Sequence, residues 1–335
     1  MTSPPPWAAG TATGVGGMPG EDPVAALHLV LDTVPDLPFL PELPARGVGA
    51  DLVGRGAAML ADLHVDLAPS GWRLVGRPGR DVRRSRDLLR ADLDAAAEVL
   101  DGYRGPLKVA VCGPWTLAAA IELPYGDKAL ADQGAVRDLA DSLAEGLAAF
   151  LSSLAAAVPG ARPLVQVDEP SLRAVLDGSV RTASGFGRLP APEFVTARTR
   201  LGVVVAVHPA TGVRCPGPRA TGEPLAVALA AGATWFGLDM AEVSPRDDDA
   251  LGQALEAGTS LLAGVVDPDA PPARPDAGAR PLRELWHRLG FASETLPALV
   301  ALTPTRGLAG SSPQTARVAL EGTRDIARLL REEGA

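Results

Sequence analysis

The chain has 335 residues, of which 47% are hydrophobic, and a formal net charge of −9 at pH 7. Its 31 Lys and Arg residues are scattered among 40 Asp and Glu residues, which argues against the clustered cations of a nucleic-acid-binding protein. Two cysteines are too few for a disulfide scaffold and favour a reducing, cytoplasmic setting. The sequence shows neither a secretion signal nor an apolar run that would span a bilayer. We therefore expect a small-molecule partner, with no nucleic acid and no membrane.

The first part of the chain predicts a disordered tail over residues 1–10 and then two short strands. Residues 14–20 are rich in glycine, but Pro19 stands where a dinucleotide-binding loop needs its third glycine, so we reject that motif. The stretch 39–44 predicts the end of a second strand, with Glu42 at its carboxyl end. An amphipathic helix between them begins with acids, as helix N-termini favour.

Helices are predicted over 49–64 and 84–102, and they flank an excursion over 65–82 that reads as a hairpin or a lid. Residues 107–112 are apolar enough for a buried strand, which stops at Gly-Pro-Trp-Thr (113–116). A long helix over 134–157 follows.

The next strand, 163–168, ends in adjacent acids. Asp168 and Glu169 follow β-branched residues, and Pro170 removes a backbone donor and stops the strand. In α/β folds, ligands bind at the carboxyl ends of parallel strands, so both acids are candidates for a functional site. The alternative is a solvated turn whose acids cap a helix that begins near Ser171.

A valine-rich run over 201–207 predicts a further strand that ends at His208. About eight strand-then-helix units follow one another without a linker, which predicts an α/β fold of one (β/α)8 TIM-type barrel domain over 11–335. The remaining predicted strands are 234–239, 260–266 and 298–303, and the remaining helices are 223–231, 247–257, a helix that ends near 289, and 313–332.

Unusual residues collect at the predicted strand ends. In a barrel these positions converge on one mouth, where the chemistry of this fold resides. They are Met18, Glu42, Trp115, Asp168, Glu169, His208, Asp239, Asp267 and Arg306.

Four motifs together point to a family. Gly-Pro-x-Thr (113–116), Gln-Val-Asp-Glu-Pro (166–170), the valine run that ends in His208, and Thr-Pro-x-x-Gly-Leu (303–308) occur in the order seen in cobalamin-independent methionine synthase. The chain resembles the C-terminal catalytic barrel of that family over roughly residues 11–330. The resemblance implies the barrel of the uroporphyrinogen decarboxylase/methionine synthase-like superfamily and methyl transfer to the thiol of homocysteine, a step of methionine biosynthesis.

The resemblance also implies roles for individual residues. Asp168 and Glu42 would hold the amino group of a homocysteine-like amino acid, and a folate or another methyl donor would be the second substrate. Trp115 could stack on that donor, although it is as well explained by packing. The implied catalytic residues are His208, Asp168 and Glu169, and the implied substrate-binding residues are Gly16, Met18, Glu42, Asp168, Trp115 and Arg306.

In the family a bound zinc ion lowers the pKa of the substrate thiol. The resemblance places His208 and Asp239 at two ligand positions, whereas Ala210 and Arg306 stand where the family has cysteines. Cys215 would have to supply the missing thiolate. Since a tetrahedral site needs three protein ligands, any zinc site is expected to be degenerate, and Arg306 beside His208 would favour an anion instead.

Two functions therefore remain open. One is a methionine synthase-like S-methyltransferase, and the other is a non-catalytic or re-purposed barrel that binds a small amino acid or an anion without zinc. A uroporphyrinogen decarboxylase ranks last, because the loop of the first strand has no arginine to bind propionates.

Overall fold

The computed structural model describes residues 5–334. Its strands are β1 (His64–Ala68), β2 (Gly71–Val75), β3 (Gly105–Cys112), β4 (Ala161–Asp168), β5 (Thr211–Arg214), β6 (Trp235–Asp239), β7 (Ser260–Val266) and β8 (Val300–Pro304). Its α-helices are α1 (Pro23–Thr33), α2 (Leu52–Met59), α3 (Arg80–Val99), α4 (Pro114–Ala120), α5 (Gln133–Ala157), α6 (Leu172–Leu176), α7 (Phe194–Val205), α8 (Glu223–Ala230), α9 (Asp248–Glu256), α10 (Pro275–Leu289), α11 (Leu296–Leu299) and α12 (Pro313–Glu333).

Six strands, β3 to β8, form one parallel sheet in sequence order, which curls into a half-barrel. Five of the eight predicted strands form in this sheet, and its sixth strand, β5, lies after the stretch 201–207 that was predicted as a strand. The two predicted N-terminal strands are extended segments with isolated bridges only. In the second of them, Pro38 and Pro41 cannot donate to a ladder. Their parallel bridges join Ala12 to Leu302, Gly17 to Glu42, and Phe39 to Lys108.

Residues 65–82 were predicted to form a hairpin or a lid, and they contain a hairpin. Strands β1 and β2 pair antiparallel with Leu67 opposite Trp72. Trp72 is buried, and the backbone N–H of Leu74 donates to the carbonyl of Glu122 at 2.8 Å. The hairpin is thereby attached to the loop that follows α4.

The valine-rich run predicted as a strand is wrong, because it forms the end of helix α7. Ala197, Leu201, Val204 and Val205 are its buried residues, and their spacing of three and four positions makes one helical face. A short apolar run does not by itself distinguish a strand from a buried helix. The strand of this unit is β5, which begins only at Thr211, so His208 precedes the strand instead of ending it.

The amino-terminal end of the half-barrel is filled by apolar side chains. Trp7 is only 7% exposed and packs edge-on against Trp235, with ring centroids 5.8 Å apart. The prediction of a disordered tail thus fails for Trp7, whereas residues 1–4 lie outside the described residues. Gly212 is required here, because a Cβ at that position would overlap the Trp235 indole. The other members of this cluster are Leu37, Leu164, Leu262 and Ala301.

By length and composition, α5 is the one helix among residues 5–334 that could cross a membrane, and none was predicted from the sequence. Half of its most apolar window is buried inside the protein. Leu139, Leu143 and Leu147 are fully buried on one face, while Asp138 and Asp141 are exposed on another. A core helix packed on a barrel passes the same test, so this finding is weak evidence for a membrane span.

Candidate functional site

Strand alternation brings a column of polar side chains into the interior of the half-barrel. Leu164 packs in the interior cluster at the amino-terminal end, so Gln166 and Asp168, two and four residues later, point to the same side. Asp168 is in register with Cys112 on β3 and with Arg214 on β5. The carboxyl end of the sheet therefore holds Asp168 and Arg214 side by side.

One oxygen of Asp168 accepts a hydrogen bond, whereas the other faces the Arg214 guanidinium beyond hydrogen-bond distance. Its Oδ2 accepts a hydrogen bond from the Gln166 amide at 2.9 Å, whereas its buried Oδ1 has no hydrogen-bond partner. The nearest cation is Arg214, whose Nη1 lies 3.7 Å from Oδ1 and whose Nη2 donates to the carbonyl of Thr305 at 2.9 Å. Burial raises the pKa of Asp168, and the Arg214 charge opposes this rise.

Glu42 is the second carboxylate of the site, and it is 7% exposed. Its Oε1 lies 3.6 Å from Nε of Arg55 and has no hydrogen-bond partner. Burial raises the pKa of Glu42 to about 7, the Arg55 charge opposes this, and the Asp168 charge adds to it. The backbone fixes its neighbours, because Glu42 N–H donates to the carbonyl of Gly16 at 2.9 Å and Met18 N–H donates to the carbonyl of Glu42 at 2.8 Å.

A pair of arginines on the outer side of Glu42 is held by one acid. Asp92 on α3 is buried and pairs with Arg55, and its Oδ1 lies 2.6 Å from Nη2 of Arg46. Both arginines are themselves less than a tenth exposed. Asp92 thereby fixes the guanidinium that faces Glu42.

Lys108 lies below the two carboxylates in the barrel interior and is 1% exposed. Its Nζ donates to Oε1 of Gln166 at 2.9 Å and to the carbonyl of Val15 at 3.0 Å, and it sits 5.5 Å from the centre of the Phe39 ring. Burial lowers the pKa of Lys108 to about 8, while the charges of Asp168 and Glu42 oppose this.

Glu169 does not face the two carboxylates but caps helix α4. Its Oε1 accepts from the Trp115 N–H at 2.9 Å, and its Oε2 accepts from the N–H and hydroxyl of Thr116 at 2.8 and 2.6 Å. A Cβ at Gly113 would overlap this carboxyl, so glycine is needed there. Burial raises the pKa of Glu169 to about 7 against these hydrogen bonds. Capping was the alternative reading of the two acids, but the capped helix is α4 and not the one near Ser171.

Trp115 is a packing residue in this structure. It is 1% exposed, and its indole Nε1 donates to the carbonyl of Ala197 at 3.0 Å. Its side chain lines a cavity of about 110 Å³ together with Leu130, Val136 and Pro190. The role of stacking on a methyl donor stays a prediction.

The implied metal ligands do not come together. His208 precedes β5, whereas Asp239 ends β6 and Cys215 follows the end of β5. The four residues of β5 separate His208 from Cys215 by roughly 13 Å along the strand. His208 Nδ1 instead accepts from the N–H of Ala210 at 3.2 Å, and Asp239 Oδ1 accepts from the N–H of Ala241 at 2.9 Å. Burial lowers the pKa of His208 and raises that of Asp239.

The residues that lie at this mouth do not fit a zinc ion. Cys215 is buried, and burial raises the pKa of its thiol well above the ordinary value, which disfavours the thiolate that binds metal. The always-charged guanidinium of Arg214 stands next to it in sequence. Among residues 5–334, no group of three or more His, Cys, Asp and Glu side chains could hold a metal ion.

Arg306 follows β8, but it is not beside His208 as expected. Its side chain is 45% exposed and pairs with Asp269, and its Nη2 lies 3.9 Å from Asp267 Oδ1. The arginine beside Asp168 at the carboxyl end of the sheet is Arg214. Arg214, and not Arg306, is therefore the arginine that could attract an anion at this site.

The sequence pointed to Glu42 and Asp168 but not to the cations around them. Counting back in steps of two from Asp168 along β4 would have placed Gln166 in the interior. A single lysine inside the otherwise apolar strand β3 was the signal for Lys108. The valine run of α7 imitates a strand and so hides β5, which carries Arg214. Arg55 lies on helix α2, which contains none of the four motifs.

A scan against protein-family models finds no match, and a search of curated proteins finds none either. Among solved structures, the chain is similar to a B12-independent methionine synthase from Shewanella sp. W3-18-1 in complex with selenomethionine, with a TM-score of 0.61 and 14% identity over 97% of this chain and 99% of that one. A carboxyl transferase domain of Rhizobium etli pyruvate carboxylase with 3-bromopyruvate matches with a TM-score of 0.27, which is too low to carry an argument. The predicted resemblance to methionine synthase is thus confirmed for the fold.

Proposed function

We propose that this protein binds a small α-amino acid of the homocysteine or methionine type at the carboxyl end of its half-barrel, without zinc. One observation carries the proposal: Glu42 and Asp168 are buried carboxylates that each keep an oxygen without a hydrogen-bond partner, the Asp168 oxygen 3.7 Å from Nη1 of Arg214 and the Glu42 oxygen 3.6 Å from Nε of Arg55. An unpaired buried acceptor is costly, and an ammonium group would supply donors to both oxygens.

The charges of the site suit a zwitterion. The ligand ammonium lies between Glu42 and Asp168, and Arg214 donates to the ligand carboxylate, for which its planar guanidinium is well shaped. A zwitterion adds no net charge to the pocket, where Lys108, Arg55 and Arg214 already offset the charges of Glu42 and Asp168. The similar Shewanella protein contains selenomethionine, an amino acid of this type.

Methyl transfer to the thiol of homocysteine, from a folate or another donor, is the second candidate. It is favoured by the likeness in fold to a methionine synthase over nearly the whole of both chains. The residues at the mouth do not fit the zinc ion that would activate the thiol, so amino-acid binding ranks first and no step is derived through zinc. Asp168 and Glu42 would have the same ammonium-binding role in either case.

Calorimetry with L-methionine and L-homocysteine tests the proposal. The matched controls are 4-(methylthio)butanoate, which lacks the ammonium, and 3-(methylthio)propylamine, which lacks the carboxylate. We expect both amino acids to bind and each truncated analogue to bind at least roughly tenfold more weakly, because a charge-assisted hydrogen bond is lost. Absence of binding by both amino acids would refute the proposal. Methionine formation from homocysteine by chelator-treated protein with a methyl donor would instead establish the transferase.

The affinity for methionine should depend on pH through Glu42. Only the ionised carboxylate attracts an ammonium, and the pKa of Glu42 is about 7. We therefore expect binding to strengthen as pH rises and to be about eightfold weaker at pH 6 than at pH 7.5, from the ionised fraction alone. Glu42→Gln should remove this pH step. If the step persists in that variant, another group, such as Glu169 with its pKa of about 7, is responsible.

A further inference from the structure

Two buried side chains below the carboxylates, Lys108 and Gln166, form a continuous chain of hydrogen bonds to Asp168. Lys108 Nζ donates to Gln166 Oε1 at 2.9 Å, and Gln166 Nε2 donates to Asp168 Oδ2 at 2.9 Å. The carbonyl of Val15 accepts from both, at 3.0 Å from Lys108 Nζ and 2.8 Å from Gln166 Nε2. Lys108 and Gln166 are at most 1% exposed, so water does not replace these bonds.

The chemistry of these groups permits one direction only. A lysine ammonium can only donate, so Gln166 must turn its carbonyl oxygen towards Lys108. Its amide nitrogen then faces the Val15 carbonyl and the Asp168 carboxylate, which can only accept. Each of these groups has a suitable partner in this arrangement. In a flipped Gln166 amide, the NH₂ group would face the Lys108 ammonium, and the oxygen would face the Val15 carbonyl and the Asp168 carboxylate.

We infer that Lys108 and Gln166 are positioning residues that hold Asp168 Oδ2 from below and keep Oδ1 available for the ammonium group of the amino acid. This inference rests on the proposed function and restricts the ligand to molecules with a hydrogen-bond donor. Because Asp168 Oδ1 is held in place as an acceptor, the site selects a ligand that donates a hydrogen bond to that oxygen. Lys108 also supplies a positive charge that helps Asp168 stay ionised despite its burial.

The chain contains only two lysines, which makes the inference easy to test. Lys128 lies away from this site, 3.8 Å from Glu122, and serves as the matched control. In protein labelled with ¹³C at lysine Cε, NMR should show two resonances, and the one that remains in Lys128→Met belongs to Lys108. The Lys108 resonance should titrate near pH 8. Its midpoint should fall when L-methionine saturates the protein, because a second cation then shares Asp168, and the Lys128 midpoint should stay unchanged.

Binding and NMR measurements on the variants complete the test. Lys108→Met and Gln166→Met should each bind L-methionine roughly tenfold more weakly, with Lys128→Met at the wild-type affinity. Gln166→Met should also lower the Lys108 midpoint without any ligand, since the ammonium loses an acceptor.

Each contrary outcome has a distinct meaning. If wild-type protein binds methionine but folded variants bind equally well, the positioning role is overturned and the proposed function stands. If a variant does not fold, the NMR titration of the wild-type protein decides. A pKa midpoint of Lys108 that does not change when methionine binds overturns the positioning role, and the proposed function stands. If wild-type protein binds no amino acid, the proposed function falls, and the positioning role falls with it.

Discussion

Asp168→Asn is expected to weaken binding of L-methionine by about 1.5–3 kcal/mol, or roughly 10- to 150-fold. The variant keeps a carbonyl oxygen that can accept from Gln166, so the interior hydrogen bond can persist. The charge that attracts the ligand ammonium is lost, and an amide NH₂ in the place of Oδ1 would set donor against donor. The effect should therefore be on binding, with little effect on folding.

Calorimetry measures this change, and thermal unfolding of both proteins checks the fold. Asp239→Asn is the matched control, because Asp239 also ends a strand of the sheet but its Oδ1 already accepts from the backbone of Ala241. Equal affinities for wild type and Asp168→Asn would remove Asp168 from the binding site. A similar loss in both variants would indicate a general effect of charge at the mouth.

Asp92→Asn is expected to lower the free energy of unfolding by about 3–5 kcal/mol, which is the typical cost of removing one partner from a buried ion pair. Asp92 is 1% exposed and is the carboxylate between the guanidinium groups of Arg46 and Arg55. Without it, the guanidinium of Arg46 would lose its ion pair, and that of Arg55 would keep the one to Glu42, with Nε 3.6 Å from Oε1.

Urea denaturation gives this free energy. Asp87→Asn on the same helix is the control, since Asp87 pairs with Arg90 at the surface and both side chains are more than 60% exposed. Such an exposed pair contributes at most about 1 kcal/mol. If Asp92→Asn were no more destabilising than Asp87→Asn, the buried cluster would not support Glu42 in the way proposed.

The motifs of the sequence led to the correct fold. Apolar runs that stop at a polar residue or a glycine marked β3, β4, β6 and β7 within a few residues, because a buried strand must be apolar and must end where the chain meets polar groups. The same logic put Asp168 at the carboxyl end of β4. The order of four short motifs pointed to a methionine synthase-like barrel, and the structure bears out that likeness in fold.

Prediction failed where one sequence pattern suits two kinds of secondary structure. The valine run before His208 suits a strand or a buried helix equally, and the decision for α7 came from its packing against the neighbouring helices α5 and α8. That single change moved His208 to the far end of β5 and removed the expected metal ligand from the mouth. Trp7 was likewise placed by a partner, Trp235, more than 200 positions away in sequence.

The sequence by itself therefore determined which residues are acidic, apolar or strand-forming, and with them the class of fold and the candidates Glu42 and Asp168. Only the tertiary structure decided which cations accompany them. Lys108 meets Gln166 across 58 positions, and Thr116 meets Glu169 across 53. No local pattern encodes such pairs, because they arise when parallel strands, separated in sequence by whole helices, are brought into register in one sheet.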